Sequence, residues 1–113
     1  MMKELFDLFD EIGLPYFRQG SLSDKEYPPS FFTYWNIDTP ITRFRDNTEK
    51  EYVEIISVCT YTNDANLIYS IMDDFIVRAK AAGFIIDGRP YDTSADNDNY
   101  YGRFVRIKKI HKS

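Results

Sequence analysis

The chain has 113 residues, a length that favours one domain spanning 1–113. Hydrophobic residues make up 43% and aromatic residues 17%, and so dense an aromatic content argues against disorder. The formal charge is −4, with one cysteine, Cys59, and one histidine, His111, so the composition excludes an internal disulfide and a Cys/His zinc site.

The charge is unevenly distributed along the chain. Residues 1–102 contain 9 basic and 18 acidic side chains, whereas 103–113 contain five basic and no acidic ones. An acidic body does not favour general nucleic-acid binding, because phosphate contacts need a basic surface. The basic end is either a solubilising strand or a docking surface for an acidic partner or another copy.

Targeting signals are not recognisable in the sequence. No apolar run approaches 18 residues, so no membrane span is predicted. The first residues, MMKELFDLFDEIG, are acidic and lack a small-residue cleavage site, which does not match a signal peptide. The default expectation is an intracellular, reducing origin.

The first third of the chain predicts a helix followed by strands. Apolar residues at helical spacing predict a helix over 2–12, which Gly13 ends. A short extended piece over 16–19 and a loop follow. Residues 31–37 alternate as a strand with aromatic side chains on both faces. Both faces should therefore be covered, one by the core, with another subunit as the candidate cover for the second.

The middle of the chain predicts a hairpin. Residues 38–50 form a polar connection, and 51–62 alternate as a second strand. The two strands should pair antiparallel around a tip of about 12 residues, longer than the usual hairpin loop. Long loops are kept for function or are disordered.

The last half predicts the main helix and a closing group of strands. An apolar stripe predicts a helix over 65–82, with Asn63 or Asp64 as the N-cap and an Asp74–Arg78 ion pair. Strands are predicted over 84–87, 91–93 and 100–110, and Gly102 marks a bulge or a close approach.

This order of elements predicts an α+β domain. We expect a mainly antiparallel β-sheet with an N-terminal helix and one long central helix packed on one face, in the order α-β-β-β-α-β-β. Strands occur in hairpin-like groups, and the regular alternation of parallel βαβ units is missing from the pattern.

Catalytic and ligand-binding motifs are not recognisable. The Asp-rich stretch 92–103 departs from a calcium loop at Asn97 and Arg103, and no phosphate-binding glycine motif occurs. Cys59 lies mid-strand and is interpreted as a core residue. Trp35 could stack on bases, but its strand carries no basic residue, which favours a core or subunit contact. We expect no enzyme, metal or cofactor, and a protein that works by contacts.

Several stretches resemble a known family. LPYFRQGSL, PPSFFTYWNIDTP, RAKAAGF and IIDGRPYD resemble the small tail-completion proteins of long-tailed bacteriophages and prophages of Gram-positive bacteria. The element order is also similar to that of the tail terminators. The resemblance covers roughly residues 5 to 110 and rests on residue patterns and topology.

The resemblance implies a structural, mechanical role. Such proteins form a ring, typically a hexamer, that caps the tail tube, stops tail polymerisation and joins the tail to the head connector. The implied partners are other copies of the chain, the major tail tube protein and the head-connector or head-closure protein. DNA passes through without specific binding. The implied location is the virion tail or neck, and the host cytoplasm during assembly.

Three groups of residues are the predicted contacts of such a ring. The hairpin tip should reach a neighbour, the pore or the tube, while a basic strand and the acidic helices should supply two complementary faces. The residues are Arg43, Phe44, Arg45 and Asp46 at the tip, Arg103, Arg106 and Lys108 on the strand, and Asp73 and Asp74 on the helix. The alternatives are another neck or minor tail component, such as a head-closure protein or adaptor, and a small enzyme or binding module.

Overall fold

The structure is a computed structural model that describes residues 2–21, 27–37, 42–45, 49–95 and 99–112. Of residues 2, 42–45, 49–52, 111 and 112 it describes the backbone alone. The described residues form two helices and seven strands. In chain order these are α1 Met2–Ile12, β1 Tyr16–Arg18, β2 Ser30–Ile37, β3 Thr42–Arg45, β4 Glu49–Thr62, α2 Ile68–Ala81, β5 Ile85–Ile86, β6 Tyr91–Ser94 and β7 Tyr101–Lys112.

The seven strands form one mixed sheet around β4. Strands β2 and β3 pair with one side of β4, and β7 pairs with the other. Strand β1 adds to β2 in parallel, while β5 and β6 add antiparallel to the outer side of β7. The predicted α+β class and its mainly antiparallel sheet are therefore confirmed.

Both helices pack on the same side of the sheet. Alternate residues of a strand face opposite sides, so Ile56 and Val58 of β4 join the core under the helices, whereas Ser57 and Cys59 face away. The predicted alternation along this strand is confirmed. We call the side that carries no described helix the helix-free face.

Aromatic stacking attaches α1 to the rest of the core. Phe9 is fully buried, and its ring lies 4.6 Å from that of Phe32 and 5.7 Å from that of Phe75, centroid to centroid. An isolated helix of 11 residues is marginal in water. Packing of Phe9 between α2 and β2 therefore holds α1 in place.

The hairpin differs from the prediction. The tip expected over 38–50 contains strand β3, so the first arm continues as a strand against β4. Five positions separate Ile37 from Thr42, but their partners Ile55 and Tyr52 are three apart. The first arm therefore has two extra residues at this point. Strand β3 was not predicted because its polar and charged residues are as typical of a loop as of a strand.

Two other boundaries are also corrected. Helix α2 has 14 residues and begins at Ile68, after a separate turn in which the Asn66 N–H donates to the Asp64 carboxylate at 2.9 Å. Neither predicted residue is its N-cap, and the helix is shorter than expected. Strand β7 extends to Lys112, beyond the predicted end at 110, because β4 continues alongside and pairs with it.

The chain is elongated. Its radius of gyration is 15.3 Å, against about 13 Å for a compact domain of this length. Strand β3 and the adjoining ends of β4 and β7 form a three-stranded ribbon, because β5 pairs with β7 only as far as Lys108. Among the described strands, positions 109–112 of β7 therefore pair with β4 alone.

Gly102 is a point of close approach, as one of the two sequence interpretations held. A Cβ at this position would lie 2.9 Å from Tyr61 Cε1 and 3.0 Å from the Thr93 carbonyl oxygen. The ladder runs through Gly102 without an extra residue, so the alternative of a bulge is wrong.

We predict that Gly102→Ala lowers the free energy of unfolding by about 1–3 kcal/mol, because the added methyl has to displace the backbone of β6. Urea denaturation measures the change. Ser94→Ala, at an exposed position of the same strand pair, is the control and should shift the midpoint little. An unchanged midpoint in Gly102→Ala would contradict the prediction.

Candidate interaction surfaces

The part of the helix-free face next to β6, which we call its upper part, is covered by aromatic side chains of the sheet itself. Trp35 on β2 and Phe104 on β7 lean across β4 until their ring centroids are 5.9 Å apart. Tyr91 extends this cover, with its centroid 4.9 Å from that of Phe104. Ser57 and Cys59 on β4 are consequently buried although no described helix lies over them.

A second aromatic cluster closes the end of the same face beside β1. Phe31 is buried within 5.2–6.0 Å, centroid to centroid, of four other rings. The Tyr100 hydroxyl donates to the Pro28 carbonyl at 2.7 Å, which ties the segment before β2 to the start of β7. Aromatic packing thus replaces a helix layer here. The four surrounding rings are those of Phe17, Tyr27, Tyr61 and Tyr100.

The part of the helix-free face next to the ribbon, which we call its lower part, is aliphatic and partly exposed. Ile85 is 43% and Ile110 47% exposed, and the register places half-buried aliphatic residues of β2 and β4 beside them. A sheet face that water covers carries polar residues at these positions. We call this area the aliphatic patch. Its residues are Ile37, Val53, Ile55, Ile85 and Ile110.

Lys108 lies within the aliphatic patch, between Ile55 of β4 and Ile85 of β5, and Arg106 lies beside the patch, two positions before it on β7. Both occupy the alternate positions of β7 that face away from the helices, and Arg106 is exposed. Among the strand residues whose side chains the structure describes, none on this face is acidic, but Glu49 and Glu51 occupy positions of the same face on β4. Asp87 lies just beyond β5, where its N–H donates to the Arg106 carbonyl at 2.8 Å. The patch is therefore mainly aliphatic, with one cation inside it and one beside it.

Two other basic residues of β7, Arg103 and Lys109, are engaged within the chain. Arg103 forms an ion pair with Asp92 at 2.6 Å, and its guanidinium carbon lies 4.7 Å from the centre of the Tyr69 ring. Lys109 forms an ion pair with Glu4 and lies over the Phe84 ring. The predicted basic strand is thus divided by its alternation, and Arg103 faces the helices, away from Arg106 and Lys108.

The acidic helix positions lie on the outer surface of the helix layer. Asp73 and Asp74 are exposed on α2, one turn before Val77, which is 66% exposed. The predicted pair between Asp74 and Arg78 is present at 3.1 Å, and Arg78 also reaches Glu11 of α1 at 3.4 Å. We call Asp73, Asp74 and Val77 the outer α2 surface. It lies on the opposite side of the sheet from Arg106 and Lys108.

The structure places the predicted tip on the ribbon. Arg43 lies opposite Glu51, and Arg45 opposite Glu49, in the β3–β4 register. Phe44 lies between them on β3, and Asp46 is outside the described residues.

The acidic group in one sizeable pocket is already hydrogen-bonded within the chain. Its volume is about 320 Å³, between the start of α2 and strands β6 and β7. Asp92 is the acidic residue among its described lining, and both carboxylate oxygens are engaged, one by Arg103 and one by the Tyr69 hydroxyl at 3.1 Å. Within the described part of the chain, no three His, Cys, Asp or Glu residues cluster as metal ligands, and no helix could span a membrane.

Sequence reasoning missed the apolar members of these surfaces. Ile85 and Ile110 were assigned to strands but not to an interface, and Val77 was not singled out. The available signal was an aliphatic residue at outward positions, where alternation or helical spacing predicts a polar one. An outward position can be recognised only when it is known which face of the sheet the helices cover, and the sequence does not give this.

We predict that Arg103 and Arg106 differ in their effect on stability. Arg103→Ala should lower the free energy of unfolding by about 1 kcal/mol, because it removes an ion pair and an aromatic contact from a side chain that is 17% exposed. Arg106→Ala should change it by less than about 0.5 kcal/mol. Paired urea titrations compare them, and equal effects would contradict the assignment of Arg103 to the interior.

Cys59 is buried, as the sequence predicts, and burial raises the pKa of its thiol. The thiolate is the reactive form, so we predict that alkylation at pH 8 is more than about tenfold slower in the native protein than in urea. The native rate should rise with pH toward the raised pKa. Mass spectrometry measures it, and equally fast labelling of the native protein would show an accessible thiol.

A scan of the chain against protein-family models finds no match, and a search of curated proteins finds no relative.

Proposed function

We propose that the chain is a structural protein of the head–tail neck of a long-tailed bacteriophage or prophage. As a tail terminator it assembles into a hexameric ring that caps the tail tube, stops its polymerisation and joins it to the head connector. It performs no reaction and holds no cofactor, and DNA passes through the ring without specific binding.

One observation supports this proposal above the others: the two sides of the sheet differ chemically. One side bears the helices with exposed carboxylates, and the other bears an aliphatic patch with Lys108 inside it and Arg106 beside it. A ring in which every subunit contacts the next head to tail needs two different, complementary surfaces on each subunit. A contiguous apolar patch exposed on a sheet is typical of an interaction site.

The ribbon is a second feature that suits an assembly protein. Its edges at β3 and at positions 109–112 of β7 pair on one side only among the described strands. Unpaired strand edges are sites at which another chain can add. In the proposed ring, the ribbon carries the contacts to the tube, the pore or a neighbour that the sequence predicts for Arg43 to Arg45.

We predict that inactivating the gene in its phage yields overlong, unattached tail tubes beside DNA-filled heads, because nothing stops tube growth. Electron microscopy of lysates measures this, and the intact gene supplied from a plasmid is the control. Tails of normal length beside heads that lose DNA would assign the protein to head closure instead. Intact, infectious virions would overturn the structural role.

A further inference from the structure

We propose that the aliphatic patch, together with Lys108 inside it and Arg106 beside it, docks on the outer α2 surface of a second copy of this chain. The inference rests on the proposed function in that it names which surfaces meet in the ring. Its chemistry, however, is a property of the chain alone and can be tested without a virion.

Both surfaces contain exposed aliphatic side chains, which are stabilised when other apolar side chains bury them. Ile85 and Ile110 are exposed by nearly half on one surface, and Val77 by two thirds on the other. Burying exposed apolar area contributes about 25 cal/mol per Å². Each surface is therefore stabilised by contact with the other, and an aliphatic side chain on a helix can pack against the β-branched residues of a sheet.

The charged parts of the two surfaces have opposite signs. Arg106 and Lys108 form no ion pair among those found in the described residues, so their charges are available to a partner. Asp73 is exposed beside Val77, and Asp74, which shares Arg78, adds a second carboxylate. Opposite charges around an apolar centre favour one docking orientation and disfavour like surfaces facing each other.

The geometry of the sheet selects a second copy in a head-to-tail arrangement. The patch and the outer α2 surface lie on opposite sides of the same sheet, so one subunit cannot bring its own two surfaces together. Like surfaces would place cations against cations or acids against acids in a two-fold dimer. The remaining arrangement joins unlike surfaces, and such contacts produce rings when the rotation closes.

Two charge-reversed variants test the contact directly. Variant one carries Arg106→Glu and Lys108→Glu, and variant two carries Asp73→Lys and Asp74→Lys. Each variant alone has like charges on both surfaces, so its association constant should fall at least about tenfold below that of the unaltered chain. In an equimolar mixture every contact joins opposite charges again, so association should recover.

Sedimentation velocity at several concentrations and salt levels measures the association. Lys3→Glu with Arg18→Glu makes the same charge change as variant one away from the patch and should associate like the unaltered chain. Thermal melts check that each variant folds. Association that survives in the separate variants, or does not return in the mixture, would overturn the proposed contact, as would a chain that stays monomeric at every concentration.

The outcome is distinguishable from a failure of the proposed function. In the phage, each variant supplied alone should fail to replace the missing gene, whereas the two supplied together should restore infectious particles. If loss of the gene has no effect on virions while the charge-reversed mixture still associates, the neck role fails and the contact stands. If virions need the gene but both separate variants support them, the contact fails and the role stands.

Discussion

Strand β4 is hydrogen-bonded to neighbouring strands on both sides over residues 51, 52 and 55–62. Because of this double pairing, the in–out alternation of the β4 side chains decides which residues of the neighbouring strands face the helices. Residues paired across neighbouring strands share a face. Once Ile56 and Val58 lie under the helices, their partners on β2 and β7 must do so as well. A shift of one residue would turn the core outward, so the buried face enforces the register.

The same alternation decides what the basic end of the chain can do. Odd and even positions of β7 fall on different sides of the sheet, so Arg103 and Lys109 face the helices and form ion pairs with Asp92 and Glu4. Arg106 and Lys108 face away and stay available. A segment that looks like one continuous basic stretch is therefore two groups with separate roles. Charge alone does not identify an interface, because an internal ion pair uses the same residue types.

The helix-free face combines a closed end and an open end. Trp35 and Phe104 meet above β4 because aromatic side chains are long enough to span the distance between alternate strands. Isoleucine and valine are too short to do so, which leaves the aliphatic patch partly in contact with water. The exposed part of the face therefore lies next to the ribbon, where the open strand edges are also found. This clustering is the arrangement that suits a subunit of a larger assembly.

Local patterns in the sequence determined the α+β class, helix α1 and the two long strands, because each depends on the spacing of apolar residues. They marked Gly102 as either a bulge or a close approach, and the structure decided between the two. They did not determine β3, whose sequence carries no apolar alternation, or the start of α2, where a separate turn precedes the helix. The tertiary structure alone decided which face of the sheet the helices cover. That choice separates Arg106 from Arg103 and exposes Ile85 and Ile110, because a strand's alternation defines two faces but not which of them a distant helix will bury.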